Sequence, residues 1–195
     1  SALEQARSIG LPKENIERAI SRASGGADAE NLSEFLYEAI GPGGAAILIE
    51  GITDNKNRTL AEIRHLLTER GARLAEQGSL AWNFEKVGTL EIARADNAGK
   101  PAEEVEIAFI DAGAKDFTSL EVAWLVQTEF GRREEVRRDL EKRGIAARES
   151  GIDYVPRIPL AANPEDHAKI ESLLEVLADH PDVQEVYTNY TNIEG

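Results

Sequence analysis

The chain has 195 residues, of which 42% are hydrophobic and 30% charged, and this length suits one large domain or two to three small ones. It contains no cysteine, which excludes disulfides and thiolate metal sites, and no apolar run near the ~18 residues that a transmembrane helix needs. The formal net charge of −14 argues against nonspecific binding of DNA or RNA over the whole surface, because such binding normally needs a basic face.

The negative charge grows toward the C-terminus. Residues 1–26 carry a net charge of +1, residues 27–86 of −4, residues 87–155 of −5 and residues 156–195 of −6. Any contact with nucleic acid is therefore expected on the N-terminal third of the chain.

Helices are predicted where apolar residues recur every three or four positions and a glycine follows. A short helical stretch covers residues 2–9, and the first complete helix opens at Pro12 and ends at Gly25. Further helices are predicted at about 57–70, 101–112 and 132–143, and a last one begins at the capping pair Asn163 and Pro164. Thr59 and Glu62 have the spacing of a capping box in the second complete helix.

Strands are predicted between these helices. Residues 35–40 and 45–53 flank a glycine-rich turn, and further strands are expected at 80–85, 89–93, 117–122, 124–128, 152–155 and 183–187. In residues 80–85, Leu80, Trp82 and Phe84 alternate onto one side. Trp82 and Trp124 both lie in strand patterns, so both are expected in the core.

The order of elements predicts an α+β protein with one domain inserted in another. Residues 87–155 read strand, helix, strand, strand, helix, strand, which is the ferredoxin-like pattern of a complete small domain. Residues 27–86 and 156–195 are each short of a full sheet, so we expect them to join into one discontinuous α+β domain. Residues 1–26 are interpreted as the remnant of a helical N-terminal domain.

Cations in the first complete helix are candidates for phosphate contacts. Lys13, Arg18 and Arg22 flank its apolar stripe, and the last two are neighbours on one face, which is unfavourable unless an anion lies nearby. The alternative is ordinary solvated charge, with Glu14 placed to pair with Arg18.

A second candidate is the strand-to-helix turn at residues 53–59. Lys56 and Arg58 lie there beside a helix N-terminus, a combination that suits a phosphate of DNA or RNA. Arg64 adds a third cation, about 120° away from Arg58 around the helix. The alternative is helix capping by the short polar side chains Asn55, Asn57 or Thr59.

The turn formed by Gly41, Pro42, Gly43 and Gly44 resembles a phosphate cradle only superficially. A P-loop requires a following Lys and Ser or Thr, whereas this turn is followed by two alanines, and Pro42 lacks an N–H donor. A tight hairpin turn is therefore favoured, and its four residues remain a candidate exposed contact loop.

The sequence carries no recognisable catalytic site. None of the three histidines has metal-ligand spacing, and the nucleophile-elbow, Walker A and dinucleotide-binding motifs are absent. We therefore expect no metal, no cofactor and no enzymatic activity. The arginine-rich residues 132–143 also contain carboxylates four positions before Arg138 and Arg143, which predicts a salt-bridged, solvated face.

Several stretches in register resemble the motifs of the YebC/PmpR family of gene-expression regulators. Residues 11–20 read LPKENIERAI, residues 37–38 YE, residues 41–44 GPGG, residues 53–59 TDNKNRT, residues 64–65 RH, residues 78–79 GS and residues 186–189 VYTN. Leu11 and Asn83 depart from the family by standing where it has methionine. Family members also begin with some tens of residues rich in Lys and Arg, which this chain lacks.

The resemblance implies three domains, a cytoplasmic protein and a role in expression control. That role is either transcriptional regulation by DNA binding or ribosome-associated activation of translation. Nucleic acid would be met mainly by the basic N-terminal segment, together with the six cations named above, and no membrane is involved. A third alternative, from the acidic charge alone, is a protein–protein adaptor for a basic partner such as a ribosomal protein.

Overall fold

The computed structural model describes residues 32–191, within which the chain divides into two compact units. Residues 85–155 form the inserted unit, and the described residues on either side of it form the discontinuous unit. Both combine antiparallel strands with helices, which confirms the predicted α+β class. The helices predicted within residues 2–25 lie outside the described residues.

The discontinuous unit is built on a four-stranded sheet in the order β3-β1-β2-β9. Its strands are β1 (Ser33–Ile40), β2 (Ala46–Thr53), β3 (Arg73–Leu74) and β9 (Val183–Thr188). The hairpin of β1 and β2 occupies the centre, with β3 antiparallel to β1 and β9 antiparallel to β2. Two residues each of β8 (Leu160–Ala161) and β10 (Tyr190–Thr191) pair in parallel as a separate small sheet.

Two helices bury their apolar faces in the core of this unit. They are α1 (Lys56–Glu69) and α4 (Pro164–Ala178), and the latter begins with the predicted cap, since Asn163 Oδ1 accepts the Asp166 N–H at 2.9 Å. The core side chains come from both helices and from the sheet: Phe35, Ile47, Ile49, Ile63, Leu67, Ile170, Leu173, Leu174, Leu177 and Val183. Spacing of three and four residues along each helix places these side chains on one face.

The inserted unit has the strand order of a ferredoxin-like sheet, β5-β6-β4-β7. Its elements are β4 (Phe84–Ala93), α2 (Ala102–Asp111), β5 (Asp116–Ser119), β6 (Ala123–Glu129), α3 (Arg133–Lys142) and β7 (Glu149–Pro156). The core gathers Leu90, Ile92, Val105, Phe109, Trp124, Val126, Val136 and Leu140. Trp124 is buried as predicted and meets Phe109 edge to face at 5.9 Å.

The strand predicted at residues 80–85 is wrong in its first half. Ala81–Asn83 form a short 3-10 helix and β4 begins only at Phe84, so Trp82 is 62% exposed instead of buried. The cause is the buried carboxylate of Glu38, which accepts the backbone N–H groups of Leu80 at 2.6 Å and of Ala81 at 3.0 Å. Donors that bind a side chain cannot join a sheet ladder.

The strand predicted at residues 117–122 ends three residues early. The N–H of Leu120 donates to the carbonyl of Ala123 at 2.9 Å, which closes a turn and leaves Val122 exposed at its tip. Among the described residues, no helix has the length and apolar character to cross a membrane.

Candidate nucleic-acid interface

The structure places three of the predicted phosphate-contacting cations on α1. Lys56 and Arg58 lie in its first turn, Arg64 lies further along, and all three are exposed. Lys13, Arg18 and Arg22 lie outside the described residues. Arg58 and Arg64 stand about 120° apart around the helix, so they do not form one patch.

Arg58 is already surrounded by carboxylates. Its Nη2 lies 2.8 Å from Asp182 Oδ2 and 2.8 Å from Asp54 Oδ1, and its Nε lies 3.8 Å from Glu62 Oε2. The hydrogen bond to Asp182 is the main cause that raises the pKa of Arg58. A guanidinium that is paired in this way has little net charge left to offer a phosphate.

Asp182 is the centre of a buried polar cluster, with only 6% of its side chain exposed. Besides Arg58, its Oδ2 accepts hydrogen bonds from the hydroxyls of Thr59 at 2.6 Å and Thr53 at 3.2 Å. Burial by itself would raise the pKa of Asp182, but the hydrogen bonds from Thr59 and Arg58, with the charge of Arg58, outweigh it and hold that pKa below its ordinary value. The carboxylate therefore stays ionised inside the unit.

The capping of α1 was predicted for one of three residues, and Asn55 is the cap. Its Oδ1 accepts the Arg58 N–H at 3.1 Å, while its own N–H donates to Thr53 Oγ1 at 2.9 Å. The capping box at Thr59 is wrong, because Thr59 is fully buried inside the helix and bonds Asp182. A threonine that caps a helix and a threonine buried in its first turns have similar local sequences. Only the hydrogen-bond partner in the folded chain, here Asp182, distinguishes the two roles.

His180 extends the cluster to the far side of Asp182. The backbone N–H of Asp182 donates to His180 Nδ1 at 3.2 Å, and His180 Nε2 lies 3.2 Å from Glu62 Oε2. Because Nδ1 accepts, the ring hydrogen of the neutral form lies on Nε2, facing the Glu62 carboxylate. The cluster thus joins the turn before β9 to two successive turns of α1.

Within the described chain, no carboxylate forms an ion pair with Lys56 or Arg64. Their side chains are therefore the available cations on this helix, whereas Arg58 fixes its first turn. Lys56 also lies at the helix N-terminus, where the helix dipole favours an anion. Lys56 and Arg64 therefore stay candidates for phosphate contacts.

The glycine-rich segment is a hairpin turn, as the sequence favours. Gly43 and Gly44 have φ of +64° and +84°, and the N–H of Gly41 donates to the Ala45 carbonyl at 2.7 Å. A Cβ on Gly43 would lie 3.0 Å from Asp166 Oδ2. A carboxylate beside the turn disfavours phosphate there. The predicted contact loop is also wrong in its first half, because Gly41 and Pro42 are buried and only Gly43 and Gly44 are exposed.

The arginine-rich helix α3 has the predicted salt-bridged face, with one change of partner. Arg137 lies 3.0 Å from Glu134 and also pairs with Glu141, and Arg143 lies 2.9 Å from Asp139. Arg138 donates to the backbone carbonyl of Glu134 rather than to its carboxylate. Because each arginine of residues 132–143 other than Arg138 pairs with a carboxylate, this face offers little net positive charge to nucleic acid.

An exposed tryptophan is the feature that sequence patterns missed. Trp82 stands on the loop held by Glu38, which also accepts the Gly78 N–H, and its indole N–H donates to the Ser79 carbonyl at 2.7 Å. The ring is thus presented to solvent on a hydrogen-bonded loop with its polar atom satisfied. Exposed rings of this kind are enriched at binding surfaces. The available signal was Glu38, the one charged residue within the predicted strand at residues 35–40.

Asn83, beside Trp82, ties this loop to the segment after the inserted unit. Its Oδ1 accepts the Ile158 N–H at 3.0 Å, and its backbone carbonyl accepts the Arg157 N–H at 2.6 Å. Asn189 Nδ2 donates to the Ile158 carbonyl at 3.1 Å from the other side. The departure from methionine at position 83 therefore has a structural role in this chain.

Comparison with known proteins identifies the family. Residues 32–190, which include both units, match the family model described as the second and third domain of TACO1/YebC. The chain belongs to the TACO1/YebC family. The resemblance seen in the motifs is thereby confirmed.

Its TACO1/YebC relatives include two proteins that are each named "probable transcriptional regulatory protein". One, from Caldanaerobacter subterraneus, is 40% identical over 188 residues, covering 96% of this chain and 76% of the relative. The other, from Thermotoga maritima, is 40% identical over 190 residues, covering 97% of this chain and 74% of the relative. The crystal structure of a conserved hypothetical protein from Aquifex aeolicus is similar with a TM-score of 0.77 and 33% identity, over 100% of this chain and 81% of that one.

Proposed function

We propose that this TACO1/YebC chain is a regulator of gene expression that acts by binding nucleic acid, as a DNA-binding transcriptional regulator. The observation that carries the proposal is its similarity, over nearly its whole length, to relatives named as probable transcriptional regulators. It acts by binding and not by catalysis, without a metal or cofactor, in the cytoplasm.

The contact surface that we propose has two parts. Lys56 and Arg64 on α1 meet phosphates, with Arg58 as the residue that holds the first helical turn in place. Lys13, Arg18 and Arg22 add phosphate contacts from the basic N-terminal part of the chain. Exposed cations at a helix N-terminus fit the geometry in which proteins contact a nucleic-acid backbone.

Acidic surface elsewhere on the chain does not contact the phosphate backbone. Residues 27–195 carry a net charge of −15, so a phosphate backbone is repelled except where unpaired cations are gathered. The exposed glycines of the hairpin turn, Gly43 and Gly44, stay a candidate contact loop for a protein, since Asp166 disfavours phosphate there.

In-cell crosslinking of the complete natural protein, followed by sequencing of the recovered nucleic acid, tests the proposal. Discrete promoter DNA is expected, and its yield is expected to fall in a Lys56→Gln, Arg64→Gln double variant. The matched control is Lys100→Gln with Lys169→Gln, which removes the same charge from lysines paired to Glu104 and Glu165. Ribosomal RNA in place of promoters would make the protein a translational activator. Recovery of neither would favour the acidic adaptor.

A further inference from the structure

An aromatic and cationic cluster lies on the inserted unit, at one end of its sheet. Lys86 Nζ stands 4.7 Å above the centre of the Phe130 ring and 5.6 Å from the centre of the Tyr154 ring. The positions follow from strand pairing, because Val87 of β4 is paired with Glu129 of β6, and Lys86 and Phe130 come next on each side. Tyr154 is contributed by β7, the other neighbour of β4.

The cluster is open to solvent and contains an uncompensated cation. Phe130 is 51% exposed, Lys86 is exposed, and Ile152 on β7 is exposed as well. No described carboxylate pairs with Lys86, in contrast to Lys115, whose partner is Glu85. An exposed phenylalanine and an unpaired lysine therefore stand together in a unit whose net charge is negative.

We propose that this cluster binds single-stranded nucleic acid, with a base stacked on Phe130 and a backbone phosphate met by Lys86. Aromatic rings and positive side chains are the two elements with which proteins hold single strands, since every base has a face to stack. The cation–π contact of an exposed lysine is weak, so Lys86 is free to turn from the ring to a phosphate.

The chemistry favours a single strand over the other occupants of such a surface. A duplex keeps its base faces stacked inside and offers Phe130 nothing to stack on. An apolar protein surface would remove Lys86 from water without a counter-charge, which is costly. A single strand supplies both an exposed base that can stack on Phe130 and a phosphate that can pair with Lys86.

This inference rests on the proposed function and names the class of nucleic acid that the inserted unit recognises. It is independent of the cations on α1, which belong to the discontinuous unit. Loss of the α1 contacts and loss of the cluster are thus separable by variants.

The test is fluorescence anisotropy of labelled 20-nucleotide oligo(U), oligo(dT) and a duplex DNA of the same length, with the complete chain. Phe130→Ala is expected to weaken binding of both single strands about tenfold and to leave the duplex unchanged. Lys86→Gln is expected to weaken them several-fold and to reduce the slope of log affinity against log salt by roughly 0.7. The controls are Ile110→Ala, an exposed apolar side chain on α2, and Lys100→Gln.

Thermal unfolding of each variant is measured alongside, so that a folding defect is separated from a lost contact. Photocrosslinking of 5-iodouracil-substituted oligo(U), with peptide mapping, provides a second measurement, and adducts at Phe130 or Tyr154 are expected. The inference is overturned if the wild-type chain binds no single strand, if the cluster variants bind like the controls, or if adducts fall elsewhere. Promoter recovery from cells that persists alongside any of these results would leave the proposed function standing and remove only this site.

Discussion

The hydroxyl oxygen of Thr59 lies 2.6 Å from Asp182 Oδ2, although 123 residues separate the two in the chain. This contact, with that of Arg58 to the same oxygen, fixes the first turns of α1 against the turn before β9. The orientation of the helix that carries Lys56 and Arg64 therefore depends on a residue from the C-terminal part of the chain.

We expect Asp182→Asn to lower the free energy of unfolding by about 2 kcal/mol, because the hydrogen bonds from Thr59 and Arg58 lose their charged acceptor. Urea denaturation at pH 7 measures the change. Glu175→Gln, on the exposed side of α4, is the control and is expected to change little. Equal stability of the two variants would contradict a stabilising role for the cluster.

Stability is expected to fall in acid partly because of Asp182. Its folded-state pKa lies below its ordinary value of about 3.9, so ionised Asp182 stabilises the protein above that pH. The contribution is lost as the pH falls through the folded-state pKa. Urea denaturation at pH 7, 5, 4 and 3 should therefore show a difference between wild type and Asp182→Asn that is constant down to about pH 5 and shrinks below pH 4. A stability difference that grows as the pH falls would contradict a folded-state pKa of Asp182 below its ordinary value.

Glu38→Gln is expected to release the loop that presents Trp82. A neutral amide has one acceptor oxygen, so it cannot bind the N–H groups of Gly78, Leu80 and Ala81 as both carboxylate oxygens do. We expect a loss of roughly 1.5–3 kcal/mol in unfolding free energy and faster amide exchange at residues 78–81. Glu34→Gln, on the exposed side of the same strand, is the control. Unchanged exchange in the loop would remove Glu38 as its anchor.

Asn83→Met restores the residue expected from the family and tests what asparagine contributes here. Methionine cannot accept the Ile158 N–H as Asn83 Oδ1 does, which is expected to cost about 1–3 kcal/mol and to speed exchange of the Ile158 amide. Gln77→Met, an exposed polar-to-methionine change on the same loop, is the control. A more stable Asn83→Met protein would mean that Ile158 finds another acceptor.

Local sequence signals were enough to predict the elements whose stabilising contacts join residues a few positions apart in the chain. The start of α4 followed from Asn163 and Pro164, because a cap and a proline at the first turn act over a few residues. The hairpin turn followed from Gly43 and Gly44, whose positive φ only glycine adopts without strain. The family followed from motifs in register, which are properties of the sequence itself.

Only the tertiary structure decided which polar residues are available to bind a ligand and which stabilise the fold. Arg58 and Lys56 look alike in the sequence, but carboxylates as distant as Asp182 pair with Arg58 and none pairs with Lys56 in the described chain. Trp82 alternates like a core residue and is turned outward by Glu38, more than 40 residues earlier. In both cases the carboxylate that decides the surroundings of the residue is distant in the chain. Hydrophobic periodicity could not predict it, because periodicity describes only residues that are close in sequence. The sequence by itself determined the α-helices of the described residues, the glycine-rich turn and the family, because their signals are local. Long-range hydrogen bonds to the buried carboxylates of Glu38 and Asp182 decided the surroundings of Trp82 and Arg58.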